Sequence, residues 1–374
     1  MKSIAVPLLA ALAFLAAATD AQPEPEKAPP FTEYPIKPYC TECLKMKLIE
    51  GPKRPIRLME FDGEDVLASI KSRHVIYLEH EDFKLVSTLP GYRFNSHTSE
   101  RLRLELPLLR KRFPRLRGKM PKLNRHHIAH LFALHMHRVK LEFWELFKTS
   151  AASYMCIMNR KNKHEIYLFD SQRDYDRFTD RFTGLQARAG QEIILHTDDA
   201  VGFVRPPPPS ACLNYWNNTV IHMWIHLLLE CQVNNAYNRP AWLDAGFGHW
   251  WERREHPGYN TYCYTESREV GHFGSDKWRP RIRRLVVSGK AVDLADYYQQ
   301  KEMSSLSNME HGLSFGQVDY ILQHKKEELR TFVRLLGNPE HVEQNTAFRT
   351  AFGMSIPAFD EEWRDWVRKT YPKR

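Results

Sequence analysis

The sequence has little of what would make it a membrane, nucleic-acid or repeat protein. Beyond the N-terminus no apolar run approaches the roughly 20 residues that a bilayer span needs. Mean hydropathy is -0.54, which excludes a multi-span membrane protein. There is no internal repeat, and no RNP, zinc-finger or helix-turn-helix pattern, so nucleic acid is not an expected partner. Neither charge sign dominates: 54 Lys and Arg stand against 45 Asp and Glu, and the net +9 permits an anionic partner without demanding one. Apolar residues are plentiful, at 43% of 374 residues with 12% aromatic. That is enough for a packed core and, at roughly 150 residues per unit, for two structural units.

Cysteine is sparse: Cys40, Cys43, Cys156, Cys212, Cys231 and Cys263. Residues 1–21 (MKSIAVPLLAALAFLAAATDA) read as a signal peptide. Lys2 is the charged region, Ile4 to Leu15 the apolar region, and Ala16-Ala17-Ala18 the cleavage site, with Thr19-Asp20-Ala21 as a second candidate. The chain is therefore expected to be secreted or periplasmic, with no transmembrane span once mature and no lipid-modified cysteine. Export permits disulfides. A Cys212–Cys231 bridge is excluded if 217–235 is helical, because a rise of about 1.5 Å per residue separates the two by far more than the roughly 7 Å limit. Cys40-x-x-Cys43 would make half a zinc site, but no second C-x-x-C completes it. A local disulfide or reduced thiols is the expectation.

Residues 22–39 form a Pro-rich arm and 40–123 a small α/β segment with strands near 73–80 and 83–89. Within it Arg101, Arg103, Arg110, Lys111, Arg112, Arg115, Arg117, Lys119 and Lys122 gather against Glu100 and Glu105. A basic surface adaptor is one reading; a solvated helix face and loop is the favoured one. A helix over 124–148 carries His126, His127, His130, His135 and His137. No carboxylate or Cys ligand is expected to join the i, i+4 pair His126 and His130, which reads as a chance pairing in a chain with 18 histidines. Strands are expected at 165–170 and 192–197, with a helix between them starting near Ser171. After Arg205 and the Pro206–Pro209 break, a helix covers about 217–237 and another starts at Ala241. The C-terminal third reads as helical, with apolar spacing in 317–336 and 347–368. The fold class expected is α+β over 124–374.

A zinc peptidase needs two His at i, i+4 on a helix, a Glu beside the first as base, and a third ligand that leaves one position open to water. This chain has His222-Met223-Trp224-Ile225-His226, then Pro240-Ala241-Trp242-Leu243-Asp244-Ala245-Gly246-Phe247-Gly248-His249-Trp250-Trp251-Glu252. The stretch resembles the gluzincin metallopeptidases of the bacterial peptidase-MA-like group, related to the thermolysin and aminopeptidase N type. Their HExxH motif precedes a second helix of the form P-x-W-L-x-E-G-x-A. Eighteen residues, 227–244, separate His226 from Ala245, as in the aminopeptidase N pattern. His311-Gly312-Leu313-Ser314 with Val318 resembles the group's Y-x-x-S helix, and Ala351-Phe352-Gly353 with Trp363 its ending.

The resemblance implies a zincin-like domain with a mixed sheet, an active-site-type helix and a helical C-terminal subdomain. It also implies losses. Met223 holds the general-base position, where a thioether cannot take a proton. Ala245 holds the third-ligand position, and His311 stands where a Tyr is common. The expectation is an exported, catalytically inactive metallopeptidase-like protein, free of metal for want of a third ligand at Ala245, that binds a peptide, protein or wall component in its cleft, lined by Trp242, Trp250 and Trp251. The alternative is a divergent metal-dependent hydrolase in which His222 and His226 take a replacement ligand, His249 being the candidate. Zinc is the metal this would use; copper with Met223 is a weaker variant, and two ordinary interior histidines the plainest one. Asp244, about 100° round the helix from Ala245, is expected to point elsewhere.

Overall fold

One six-stranded sheet takes strands from both sides of residue 124. The chain was analysed as a computed structural model, which describes residues 39–40, 43, 57–58, 61–62, 68–71, 74–149, 163–183, 191–194, 200–204, 212–233, 239–263, 266, 273, 277–338 and 342–374. The expected signal peptide, the Pro-rich arm up to residue 38, Cys156 and the Pro206–Pro209 break lie outside these.

The strands are β1 (Tyr39–Cys40), β2 (Arg57–Leu58), β3 (Phe61–Asp62), β4 (Ile76–Glu79), β5 (Phe83–Ser87), β6 (Tyr92–Arg93), β7 (Lys122–Leu123), β8 (His164–Leu168), β9 (Gln191–Ile194) and β10 (Ala200–Val204). The helices are α1 (Glu100–Arg103), α2 (Leu106–Arg112), α3 (Arg125–Phe147), α4 (Gln172–Thr183), α5 (Leu213–Val233) and α6 (Ala241–Glu255). They continue with α7 (Trp278–Val287), α8 (Leu294–Tyr297), α9 (Asn308–His324), α10 (Lys326–Leu336), α11 (Gln344–Phe352) and α12 (Ile356–Thr370). The sheet order is β1-β4-β5-β8-β10-β9, with β5, β8 and β10 parallel and the other pairings antiparallel. The fold is thus α+β, mostly helical, with a mixed sheet. Among the described residues no helix is long and apolar enough to cross a membrane.

Side-chain alternation along β8 explains the layers. Tyr167 meets Phe178 of α4 at a ring separation of 4.6 Å, while Ile166 lies on the other face beside Leu227 of α5. Helices α3 and α5 pack together on that second face. Apart from Tyr215, every residue of α5 is buried, as an apolar helix running through a core should be. Its start is one turn earlier than its sequence suggests. Asn214 and Asn218 read as loop residues, yet they are buried because the fold satisfies them. Asn214 Oδ1 accepts from Ser99 N (2.8 Å), and Asn218 Nδ2 donates to the His256 carbonyl (2.8 Å). Helix α3 begins at a reciprocal cap, with His127 N donating to Asn124 Oδ1 (2.9 Å).

Helix α6 lies between α5 and α9, and a glycine marks each crossing. A Cβ at Gly246 would come within 2.6 Å of the Ser314 carbonyl oxygen on α9. A Cβ at Gly248 would lie 3.0 Å from the rings of His222 and His226 on α5. The small residues let the three helices approach closely, and this sets the geometry of the site.

Candidate metal centre

His222 and His226 project from one face of α5 toward α6, as their spacing requires. Their Nε2 atoms converge to 2.9 Å, and their rings meet edge-on at 4.6 Å. What stands opposite them differs from the sequence expectation. The residue of α6 that abuts both rings is Gly248, and the described residues around them are buried. The missing third ligand is made good from the chain beyond α6. Glu266 Oε2 lies 2.7 Å from His222 Nε2, Glu266 Oε1 lies 3.7 Å from His226 Nε2, and Cys263 Sγ lies 4.0 Å from the same nitrogen. The Cys263 backbone N–H donates to Glu266 Oε2 (2.9 Å) and fixes the carboxylate. Ligand atoms of His222, His226, Cys263 and Glu266 all fall within 4.8 Å of one another.

The reverse sides of the two imidazoles carry the strongest signal. Asp244, expected to point elsewhere, accepts from His226 Nδ1 at 2.7 Å and is held by Arg239 Nε (2.7 Å). Asp244 stands one turn before Gly248, at i and i+4, so it shares the face of α6 that meets α5. Glu252 Oε2 lies 3.4 Å from His222 Nδ1 and is fixed by the Thr261 N–H (2.8 Å). The Asp244 carboxylate on His226 Nδ1 selects the tautomer that leaves Nε2 aimed at the shared centre, which is how metal-binding histidines are held, while His222 Nδ1 lies near Glu252 without a hydrogen bond. Glu266 Oε1 is buried and makes no hydrogen bond, a rare state for a carboxylate oxygen unless a cation completes it. Two imidazoles, a thiol and a carboxylate form a donor set that suits zinc. The residues fit the metal.

Without a cation the same groups form an ionic network. Burial alone would lower His226, but Asp244 overrides it and raises it to about 10. Glu266 and Glu252 likewise raise His222 well above the ordinary range against burial. Glu266 is held well below the carboxylate range, against burial, by His222 and then His249.

His249 falls outside the cluster that His222 and His226 share, and stands instead in two neighbouring groups of possible ligands, one with His222 and Glu252 and one with Glu266 and His311. Its Nε2 turns to His311 Nδ1 (3.1 Å) and Glu266 Oε1 (3.5 Å), while its Nδ1 meets Glu252 Oε1 (2.8 Å). His311 Nε2 in turn donates to the Glu266 carbonyl (3.0 Å), and burial lowers its pKa to about 4. His249 and His311 therefore brace Glu266 from behind. Met223 points away from the centre: its Cε packs near Gly202 of β10, so neither copper ligation nor base chemistry falls to it. Trp242 and Trp251 are core residues, 0% and 2% exposed, and line no open groove. Trp250 is half-buried and donates to Asp319 (3.0 Å).

Two further expectations are corrected. Cys40 and Cys43 form no disulfide, the second of the two expected alternatives, but they lie against His126 and His130, the pair that no Cys was expected to join. Arg101 is no surface cation. It is 6% exposed, with Nε on Glu255 (2.6 Å) and Nη2 on Glu142 (2.7 Å). Of the basic stretch, Lys111, Arg115, Arg117, Lys119 and Lys122 remain exposed.

Sequence reasoning missed Asp244, Cys263 and Glu266. A lone Cys and a lone Glu in the stretch Cys263-Tyr264-Thr265-Glu266 carry no periodic signal, and only their i, i+3 spacing hinted that both could face one point. No protein-family model matches the chain, and no curated protein matches it.

Proposed function

We propose that the chain is an exported, catalytically silent metallopeptidase-like protein whose peptidase-type centre has become a closed structural zinc site. The observation that carries this is the fourth donor. Catalytic zinc keeps one position for water, whereas structural zinc is ringed by four protein ligands. Here Cys263 and Glu266 join the two histidines, and the four are 0–1% exposed. Zinc would neutralise Glu266 and tie the α5 helix to the loop beyond α6. A zincin-like arrangement of α5 and α6 is part of the same reading, supported by the pair of histidines on α5 turned toward the second helix. A peptide, protein or wall component bound by such a protein meets its outer surface. The test is zinc analysis of the full chain beside hydrolysis of fluorescent casein. Retained zinc without hydrolysis is the expected result. Casein cleavage that chelation or His222→Ala abolishes would overturn the proposal in favour of a divergent hydrolase.

The five exposed basic side chains over 111–122 favour a second reading, a surface adaptor for an anionic polymer. Salt-sensitive retention on an anionic matrix, lost in Arg115→Gln/Arg117→Gln/Lys119→Gln, would support it. Retention unaltered by that triple change would remove it.

A further inference from the structure

A second cluster of metal-ligating side chains lies apart from this centre, at the opposite end of the sequence. Cys40 is on edge strand β1, Cys43 follows three residues later, and His126 and His130 occupy the first turns of α3. His126 Nε2 lies 3.2 Å from Cys40 Sγ, 3.2 Å from Cys43 Sγ and 3.0 Å from His130 Nε2, and Cys43 Sγ lies 3.5 Å from His130 Nε2. All four ligand atoms fall within 4.8 Å of one another. Cys40, Cys43 and His130 are 0% exposed and His126 is 6%. Phe113 packs edge-on against both imidazoles, with ring separations of 5.0 and 5.2 Å, and closes the cluster with an apolar wall.

We propose that Cys40, Cys43, His126 and His130 form a second, structural zinc site that clamps β1 and the chain around it to the start of α3. Three observations converge on it. The ligand pairs have the local spacings of Cys₂His₂ zinc sites, C-x₂-C and H-x₃-H. In such sites both thiols are free and both imidazoles turn the same nitrogen inward, as here. The element they hold also needs holding. β1 is two residues long and pairs only with β4, through Tyr39 with Glu79 and Cys40 with Leu78. So short an edge pairing is not self-sustaining. Two soft thiolates with two imidazoles select zinc over magnesium or calcium. The 82 residues between Cys43 and His126 hide the site from any motif of short spacing.

The test uses the full chain and keeps the two centres apart. His226→Ala removes zinc from the first centre only. The zinc that remains should show two sulfur neighbours at about 2.3 Å by X-ray absorption. Its cobalt-substituted form should show thiolate-to-metal charge transfer that vanishes when Cys43→Ser is added. Chelation should expose the backbone N-terminal to Ile76 to limited proteolysis while α9 to α12 stay protected. Should Cys43→Ser fail to fold, the sulfur count in His226→Ala still decides the matter. Fewer than two sulfurs per remaining zinc, or no remaining zinc, would overturn the proposal. So would an unreduced intact mass two hydrogens light, with the missing hydrogens mapped to a Cys40–Cys43 disulfide.

Discussion

Two helices of this protein carry an H-x-x-x-H pair, His126 with His130 on α3 and His222 with His226 on α5, and local sequence sets them apart where the fold treats them alike. The α5 pair sits in a stretch resembling peptidase motifs, with Met223 and Ala245 at the positions where those motifs carry a base and a ligand. The α3 pair resembles nothing and stands in a His-rich helix. In the fold both pairs turn their Nε2 atoms inward, at 2.9 and 3.0 Å, and both meet sulfur. They differ in charge. Around His222 and His226 stand Asp244, Glu252 and Glu266, so this centre can survive as an ion network when metal is absent. Around His126 and His130 stand two thiols and an aromatic ring in place of carboxylates. An i, i+4 histidine pair is therefore only an invitation; what answers it comes from elsewhere in the chain.

The largest effect that separates the two should come from Glu266→Gln. It leaves His222 and His226 buried without their shared counter-charge, and breaking such a pair costs about 3–5 kcal/mol. Urea unfolding should show that loss, and one zinc should go while the thiol-bound zinc stays. Loss of both zincs would merge the two regions into a single unit. Next is Gly248→Ala, whose methyl would press on both imidazoles of the α5 pair at 3.0 Å. Overpacking of this kind costs about 1–3 kcal/mol. A variant with unchanged stability and zinc content would mean that the α5–α6 approach does not set the site.

The smallest effect concerns a third histidine, His135, which sharpens the comparison because its cluster needs no metal. It lies between Glu105 (3.1 Å) and Glu255 (2.7 Å), with Arg138 and Arg101 closing the network. Burial pushes its pKa down, but Glu255 and then Glu105 raise it to about 9. The folded value exceeds the unfolded one of about 6.5, so this stabilisation is complete below about 6.5 and is lost as pH rises through about 9. With zinc in excess, stability should fall as pH rises across that window. The fall should shrink in His135→Gln; an undiminished slope there would place the titration on another group.

The sequence by itself determined the elements that carry their own periodicity. The helix of 125–147, the one starting at Ala241 and the four expected strands lie close to where apolar spacing put them, because burial of one face is written locally. It also placed His222 and His226 on one face of a helix, since 3.6 residues per turn leaves no choice. It missed β10, five residues with a glycine at the centre. Only the tertiary structure decided what the histidines meet. Glu266 and Cys263 reach them from 37 to 44 residues away, and Cys40 and Cys43 from more than 80. No propensity or short motif encodes such a pairing. It follows from packing: the glycines that let α5, α6 and α9 close up, and the sheet register that sets β1 beside α3.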